Sequence, residues 1–307
     1  TPSTAKQRVF AEMLCDELRG MGAEDVKITD NAYVYARIPS NVKRDIPKIG
    51  FIAHLDTAPA VSGTGVKPRV FENYDGGTLE IGNGVSIRPE EFCHLSNYIG
   101  QDIITSSGDT LLGADDKAGV AEIMTACERI VKENLPHCAV AVAFTPDEEI
   151  GSGAELLDLE RFGADFAYTV DGDEVGEINY ETFNAAAASW EIRGVNVHPG
   201  SAKGIMINAA LVACEINSLL PAEEIPAMTG GYEGFYHMLE MNASVERAEM
   251  KYIIRDHDAE KFTQRCEAMR DIEKSINEKY GAGTAKLTLK EQYRNMAEVL
   301  NKRMDII

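Results

Sequence analysis

The run Cys138–Phe144, "CAVAVAF", is apolar at every position. It is too short to cross a membrane and too uniformly apolar for a strand with one wet face, so it reads as a strand covered on both sides. "IGFIA" (49–53) is a second such run and leads straight into "HLDT". "FAYTV" (166–170) is a third strand candidate and ends at Asp171. Between them lie helical patterns. Residues 5–19 place Val9, Phe10, Met13, Leu14 and Leu18 on one face, and residues 117–133 do the same with Val120, Ile123, Met124, Cys127, Ile130 and Val131. Strand and helix alternating in this order predict an α/β layer built on a mainly parallel sheet.

Residues 68–110 break the alternation with Gly- and Asn-rich text, "NYDGGTLEIGNGVSI", which reads as short hairpins and loops. After about residue 183 the order changes. "AAAASWEIRGVNVH" reads as a strand, "MINAALVACEINSLL" as an amphipathic helix and "HMLEMNASVERAEMKYIIRD" as two strands around a turn. The long helix "AEKFTQRCEAMRDIEKSINEKY" and a closing strand, "AKLTLKEQY", follow. The order βαββαβ is that of a ferredoxin-like unit. We therefore expect a first domain over 1–182, a second over 183–293, and the start of a return to the first over 294–307.

The net charge of −20, from 50 acidic and 30 basic residues, disfavours nucleic acid and anionic membrane surfaces as partners. No apolar stretch approaches the roughly 18 residues of a membrane span. The six cysteines form no C-x-x-C pair, and Cys127 and Cys138 sit in apolar runs, which suits reduced, buried thiols in a cytoplasmic protein.

The acidic excess is concentrated where the strands end. His54 and Asp56 follow one strand, Glu148 and Glu149 another and Asp171 a third, while Asp115 and Asp116 precede the helix at 117. In an open parallel sheet these ends share one edge, where ligands bind. Each cluster alone has a plain structural reading. Asp115 or Asp116 would cap a helix, Glu148 and Glu149 would favour the dipole of a following helix, and His54 would be a core histidine. Together those readings fail, because carboxylates brought within about 4–6 Å resist ionisation unless a cation compensates. A pair of divalent metals removes the conflict, since one carboxylate can bridge two ions. The mixed imidazole and carboxylate set suits zinc first, with manganese and cobalt also compatible. Residues two apart on a strand face the same way, so Asp56 is placed to orient the ring of His54.

"HLDT", "LLGADDKAG", "AFTPDEE", "YTVDG" and "NVHPGSAKG" closely resemble the co-catalytic zinc peptidase family that holds aminoacylases and glutamate carboxypeptidases. "GGYEGFYHMLEMNASVERAEMKYIIRD" narrows the likeness to its tripeptide aminopeptidases, and the resemblance runs over essentially the whole chain. It implies a zinc-peptidase catalytic domain carrying an inserted lid, two zinc ions per complete subunit, and hydrolysis of short peptides. By the same resemblance His54 and Asp171 hold one zinc, Asp115 bridges, and Glu149 holds the second. Glu148 is the general base and Asp56 the orienting acid, which leaves Asp147 as a solvated or helix-capping residue. A cis peptide is expected between Asp115 and Asp116. His198 is expected to polarise the scissile carbonyl, often across a homodimer interface formed by the lid. Arg255 is a candidate grip for the substrate carboxylate. As alternatives, His198 is a surface-loop histidine, and Arg255 makes a strand-edge ion pair with Asp256 or Asp258. The family's last zinc ligand is a histidine near the C-terminus, and none of His94, His137, His237 and His257 matches its motif. The resemblance therefore implies a sequence cut at both ends, with the second metal short of a ligand. Sister activities (dipeptidase, carboxypeptidase, amide deacylase) or a non-catalytic metal-binding fragment are the competing expectations.

Overall fold

Residues 1–172 and 174–306 are described by the computed structural model, and the chain divides into two units, Thr1–Glu177 and a second starting at Ile178. The first unit runs α1 (Ala5–Met21), β1 (Glu24–Ile28), β2 (Val34–Ile38), β3 (Ile49–His54), β4 (Arg69–Phe71), β5 (Leu79–Gly82), β6 (Val85–Ile87), β7 (Ile103–Thr105), α2 (Ala114–Lys132), β8 (Val140–Thr145), α3 (Leu159–Phe162) and β9 (Phe166–Thr169).

Its main sheet has the order β1-β2-β8-β3-β9. The three strands expected from sequence, β3, β8 and β9, pair in parallel, with His54 opposite Thr145 and Ile49 opposite Phe166. The sheet is mixed, because β2 runs antiparallel to β8 and β1 antiparallel to β2. All six residues of β8 are buried, as its apolar run requires. Leu14 and Leu18 of α1, with Val120, Ile123 and Cys127 of α2, pack over Val34, Val140, Val142 and Phe144. Tyr33, Tyr35, Ala141, Ala143 and Phe162 form a smaller cluster. The stripe on α1 is rotated from the expected one: Ala11, Leu14, Cys15 and Leu18 are buried, whereas Val9 and Met13 are exposed. Val131, near the end of α2, is likewise exposed. Gly22 ends α1 in the left-handed region, φ 92°, with its N–H donating to the Arg19 carbonyl.

The segment after β3 contains the expected hairpin. β5 pairs with β6 around Asn83 and Gly84, whose φ values of 51° and 75° are those of a tight primed turn. The pairing of β4 with β7 closes this segment, which has a small core of Tyr74, Leu79, Ile81 and Leu95.

The second unit runs β10 (Asn184–Arg193), α4 (Ala209–Ser218), β11 (Phe235–Ala243), β12 (Arg247–Asp256), α5 (Ala259–Tyr280), β13 (Ala285–Tyr293) and α6 (Ala297–Leu300). Its four strands form one antiparallel sheet in the order β11-β12-β10-β13. Alternate residues of β10, among them Ala186, Ala188, Trp190 and Ile192, enter a core with Val212 and Ile216 of α4 and Met269 and Ile276 of α5. Asn208 and Asp258 cap the two helices, Asn208 accepting the Ala210 and Leu211 N–H groups and Asp258 that of Lys261. Among the described residues no helix is long and apolar enough to cross a membrane.

Candidate metal centre

Parallel pairing puts the C-terminal ends of β3, β8 and β9 at one edge of the sheet. His54 is the last residue of β3, Glu148 and Glu149 lie in the turn after β8, and Asp171 lies two residues beyond β9. The first residues of α2 bring Asp115 and Asp116 to the same place. Ligand atoms of His54, Glu148 and Asp171 lie within 4.8 Å of one another, as do those of His54, Asp115 and Glu149.

The buried ring of His54 organises the cluster. Its Nε2 is 2.8 Å from Asp115 Oδ1 and 3.8 Å from Asp171 Oδ2. Nδ1 faces Asp56 Oδ1 at 3.3 Å, close enough for charge attraction but too poorly aligned for a hydrogen bond. The His54 N–H donates to Asp116 Oδ2 at 3.0 Å. Burial works against a charge on the imidazole, but contacts with Asp56 and Asp115 and the nearby charge of Asp171 outweigh it, raising His54 to about 9. Asp171 is pushed up by burial and by Asp115 and Glu149, against the opposing pull of His54. The ring of His54 is thus a counter-charge to the acids, as is Lys117, whose Nζ donates to the Asp56 carbonyl at 3.0 Å. Burial lowers Lys117 against the pull of Asp56, Asp115, Asp116 and Glu149.

Asp56 connects the histidine to the acidic turn. Its Oδ1 accepts the Glu148 N–H at 3.0 Å and its Oδ2 the Glu149 N–H at 3.1 Å. Despite burial, the His54 ring and those N–H donors hold its carboxyl below the usual range. The donor set fits divalent cations. One imidazole nitrogen and several carboxylates meet at a strand-end edge, and the other ring nitrogen is buried without an aligned partner beside an orienting carboxylate. The Asp115–Asp116 peptide is cis.

Comparison with known proteins finds peptidases that match along the whole chain. The chain is 53% identical over 308 residues to the peptidase T of Clostridium perfringens, covering 100% of this chain and 76% of that protein. It is 48% identical over 309 residues to the peptidase T of Bacillus subtilis, covering 100% of this chain and 75% of that protein. The chain belongs to the peptidase T family. Residues 180–284 match the peptidase dimerisation domain. The fold is shared with the aminopeptidase PepT of Bacillus cereus, at a TM-score of 0.73 and 24% identity over 92% of this chain and 70% of that one. A tripeptidase of Staphylococcus aureus superposes at 0.72 with 22% identity over the same shares. A dinuclear metal-binding peptidase of Bacillus subtilis has the same architecture at a TM-score of 0.55 and 15% identity, over 94% of this chain and 69% of that one.

The other candidate residues of this chain lie in the second unit. His198 is exposed and opens the short turn Pro199–Ser201, its Nδ1 accepting the Gly200 N–H at 3.1 Å. Arg255 makes no ion pair with Asp256 or Asp258 among the described contacts, correcting that alternative. Its strand, β12, is interior to the sheet, and its Nη1 donates to the carbonyls of Ile254 and Ala186 while the guanidinium lies 5.4 Å from the Tyr293 ring centre. Asp256 instead pairs with Arg265 at 2.7 Å.

Asp147 also departs from expectation. It is 1% exposed and not solvated, and its carboxylate accepts from Ser3 N–H at 2.9 Å and Gln7 Nε2 at 2.8 Å. It caps the N-terminal segment leading into α1, not a helix after the acidic turn. Lys117 and Gln7 are the local groups that sequence reasoning left without a role, while the buried Asp116, expected at most as a helix cap, accepts the Gly119 N–H at 3.2 Å and also holds the His54 N–H. Lys117 and Asp116 were signalled by adjacency to Asp115, whereas Gln7 carried no signal at all.

Proposed function

We propose that this chain carries the metal-binding and dimerisation regions of an aminopeptidase that removes the N-terminal residue from tripeptides by metal-assisted hydrolysis. The observation that carries this reading is the meeting of His54, Asp115, Glu148, Glu149 and Asp171 at one sheet edge, with Asp56 facing the ring and hydrogen-bonded to the acidic turn. In this reading His54 and Asp171 would hold one metal and Glu149 the other, with Asp115 shared between them. Zinc is the ion we assign first, with manganese or cobalt able to replace it. When bound, the metals lower the pKa of a water towards 7 and set positive charge beside the scissile carbonyl.

Glu148 takes the proton of the attacking water and returns it to the leaving amine. Desolvation by burial, helped by the nearby charges of Asp171, Glu149 and Asp56, raises its carboxyl against the lowering effect of His54, which favours proton acceptance. Asp56 keeps the base, the neighbouring ligand and the imidazole in fixed relation through its two oxygens. We assign His198 to polarise the carbonyl oxygen and Arg255 to bind the peptide carboxylate. Both roles rest on the resemblance in "NVHPGSAKG" and "IIRD". The dimerisation-domain match supports a homodimer, and six unpaired cysteines suit the reducing cytoplasm.

Glu148→Gln removes the base and keeps a side chain of the same shape. In the active enzyme it should lower kcat by about 10²–10⁴-fold at unchanged metal content. Undiminished turnover would remove Glu148 from the mechanism.

A further inference from the structure

All three N–H groups of the acidic triplet 147–149 are held by side chains from elsewhere in the first unit. Asp56 takes those of Glu148 and Glu149. The third, from Asp147, donates to Gln7 Oε1 at 3.1 Å, and Gln7 Nε2 donates back to Asp147 Oδ1 at 2.8 Å. The amide orientation of Gln7 is dictated by its partners, because a carboxylate only accepts and an N–H only donates. Asp147 Oδ1 and Oδ2 also accept the Ser3 N–H, each at 2.9 Å. Gln7 and Asp147 are 4% and 1% exposed, so water does not replace these bonds.

The backbone they fix is not one the chain adopts by default. Asp147 sits at φ 59°, in the left-handed region that non-glycine residues seldom occupy. The turn then closes on itself, with Ser152 N–H donating to the Asp147 carbonyl at 3.0 Å and Gly151 N–H to that of Glu148 at 2.7 Å. The Tyr33 hydroxyl holds the far end through the Gly153 carbonyl at 3.1 Å.

We propose that the Gln7–Asp147 pair is a positioning device for catalysis, a strap from α1 that sets the pitch of the turn and so aims Glu148 and Glu149. Neither residue touches substrate or metal; both act through the two glutamates. The proposal rests on the reading of Glu148 as base and Glu149 as ligand.

The test exploits the reciprocity of the pair. Gln7→Glu sets carboxylate against carboxylate, and Asp147→Asn must turn its amide nitrogen either onto Gln7 Nε2 or onto the Ser3 N–H, so that one donor faces another in both orientations. Combined, the two changes restore every donor–acceptor match between the positions, with the charge moved to the other partner. In the full-length enzyme each single change should lower kcat and the apparent cobalt affinity by about 10–100-fold. The visible spectrum of the cobalt-loaded enzyme should change, with little effect on KM. The double variant should recover most of both losses. Single variants that only melt earlier, with kcat, cobalt affinity and spectrum unchanged, would overturn the proposal, as would a double variant no better than the worse single one. Glu148→Gln measured alongside separates the two readings. If it keeps full turnover the base assignment falls, while cobalt affinity and spectrum still judge the strap.

Discussion

Gly119 stands in the first regular turn of α2, just past the kink at Asp115 and Asp116, where helix propensity alone favours alanine by up to about 1 kcal/mol. The structure predicts the opposite for Gly119→Ala. A Cβ at this position would run into the carbonyl oxygen of Val170, just after β9, and into Oδ1 of Asp116. The first obstacle is backbone and cannot swing aside. The second belongs to a carboxylate only 3% exposed, whose oxygens accept the Gly119 N–H at 3.2 Å and the His54 N–H at 3.0 Å. Displacing it weakens two charge-assisted hydrogen bonds of about 1.5–3 kcal/mol each. These share one carboxylate, so their losses do not simply add. After the propensity gain, we expect a net destabilisation of about 2–4 kcal/mol. For a folding unit of this size that corresponds to a fall of about 4–16 °C in Tm. Urea unfolding followed by circular dichroism gives the free-energy change. Metal affinity should fall with it, because Asp116 holds the backbone of His54. A variant as stable as the parent, or more stable, would show that α2 can retreat from β9 and would refute the close-contact reasoning.

Further outcomes follow from other contacts. Arg265→Met strips the partner from Asp256, whose side chain is 1% exposed, and should destabilise the second unit by about 3–5 kcal/mol in denaturant titration. Burial pushes Tyr236 up to about 12, so its folded form holds a proton that the unfolded chain releases near pH 10. Its contribution to stability should be complete below about pH 10 and decline by roughly 1.4 kcal/mol per unit as pH rises towards 12, a slope that Tyr236→Phe should reduce in unfolding experiments. Cys93 and Cys214 are exposed, whereas burial pushes Cys127 up to about 11 and also raises Cys15 and Cys266. Thiol titration of the folded protein should therefore find two fast-reacting groups before the buried ones.

The parallel strands were legible because burial on both faces leaves an uninterrupted apolar run, as in β8. The clustered acids were legible because strand direction alone assigns the ends of β3, β8 and β9 to one edge. β1 and β2 escaped because "EDVKI" and "VYARI" are short and mixed, and their direction is set by pairing rather than by local text. The stripe on α1 was misjudged by the Val9 and Met13 side chains, which periodicity counts as core without knowing where the sheet lies. Asp147 looked solvated for a similar reason. Its partners, Ser3 and Gln7, are more than a hundred residues away, and no spacing rule links them. The ion-pair alternative for Arg255 fails at Asp256 because adjacent residues on a strand face opposite ways, and Asp256 turns to Arg265 instead.

Anomalous diffraction at the zinc edge, from crystals of the zinc-loaded enzyme, tests the central claim most directly. Two peaks about 3.5–4 Å apart are predicted, bracketed by His54 Nε2, Asp115, Glu149 and Asp171. A loaded crystal with zinc elsewhere and none beside His54 would contradict the account.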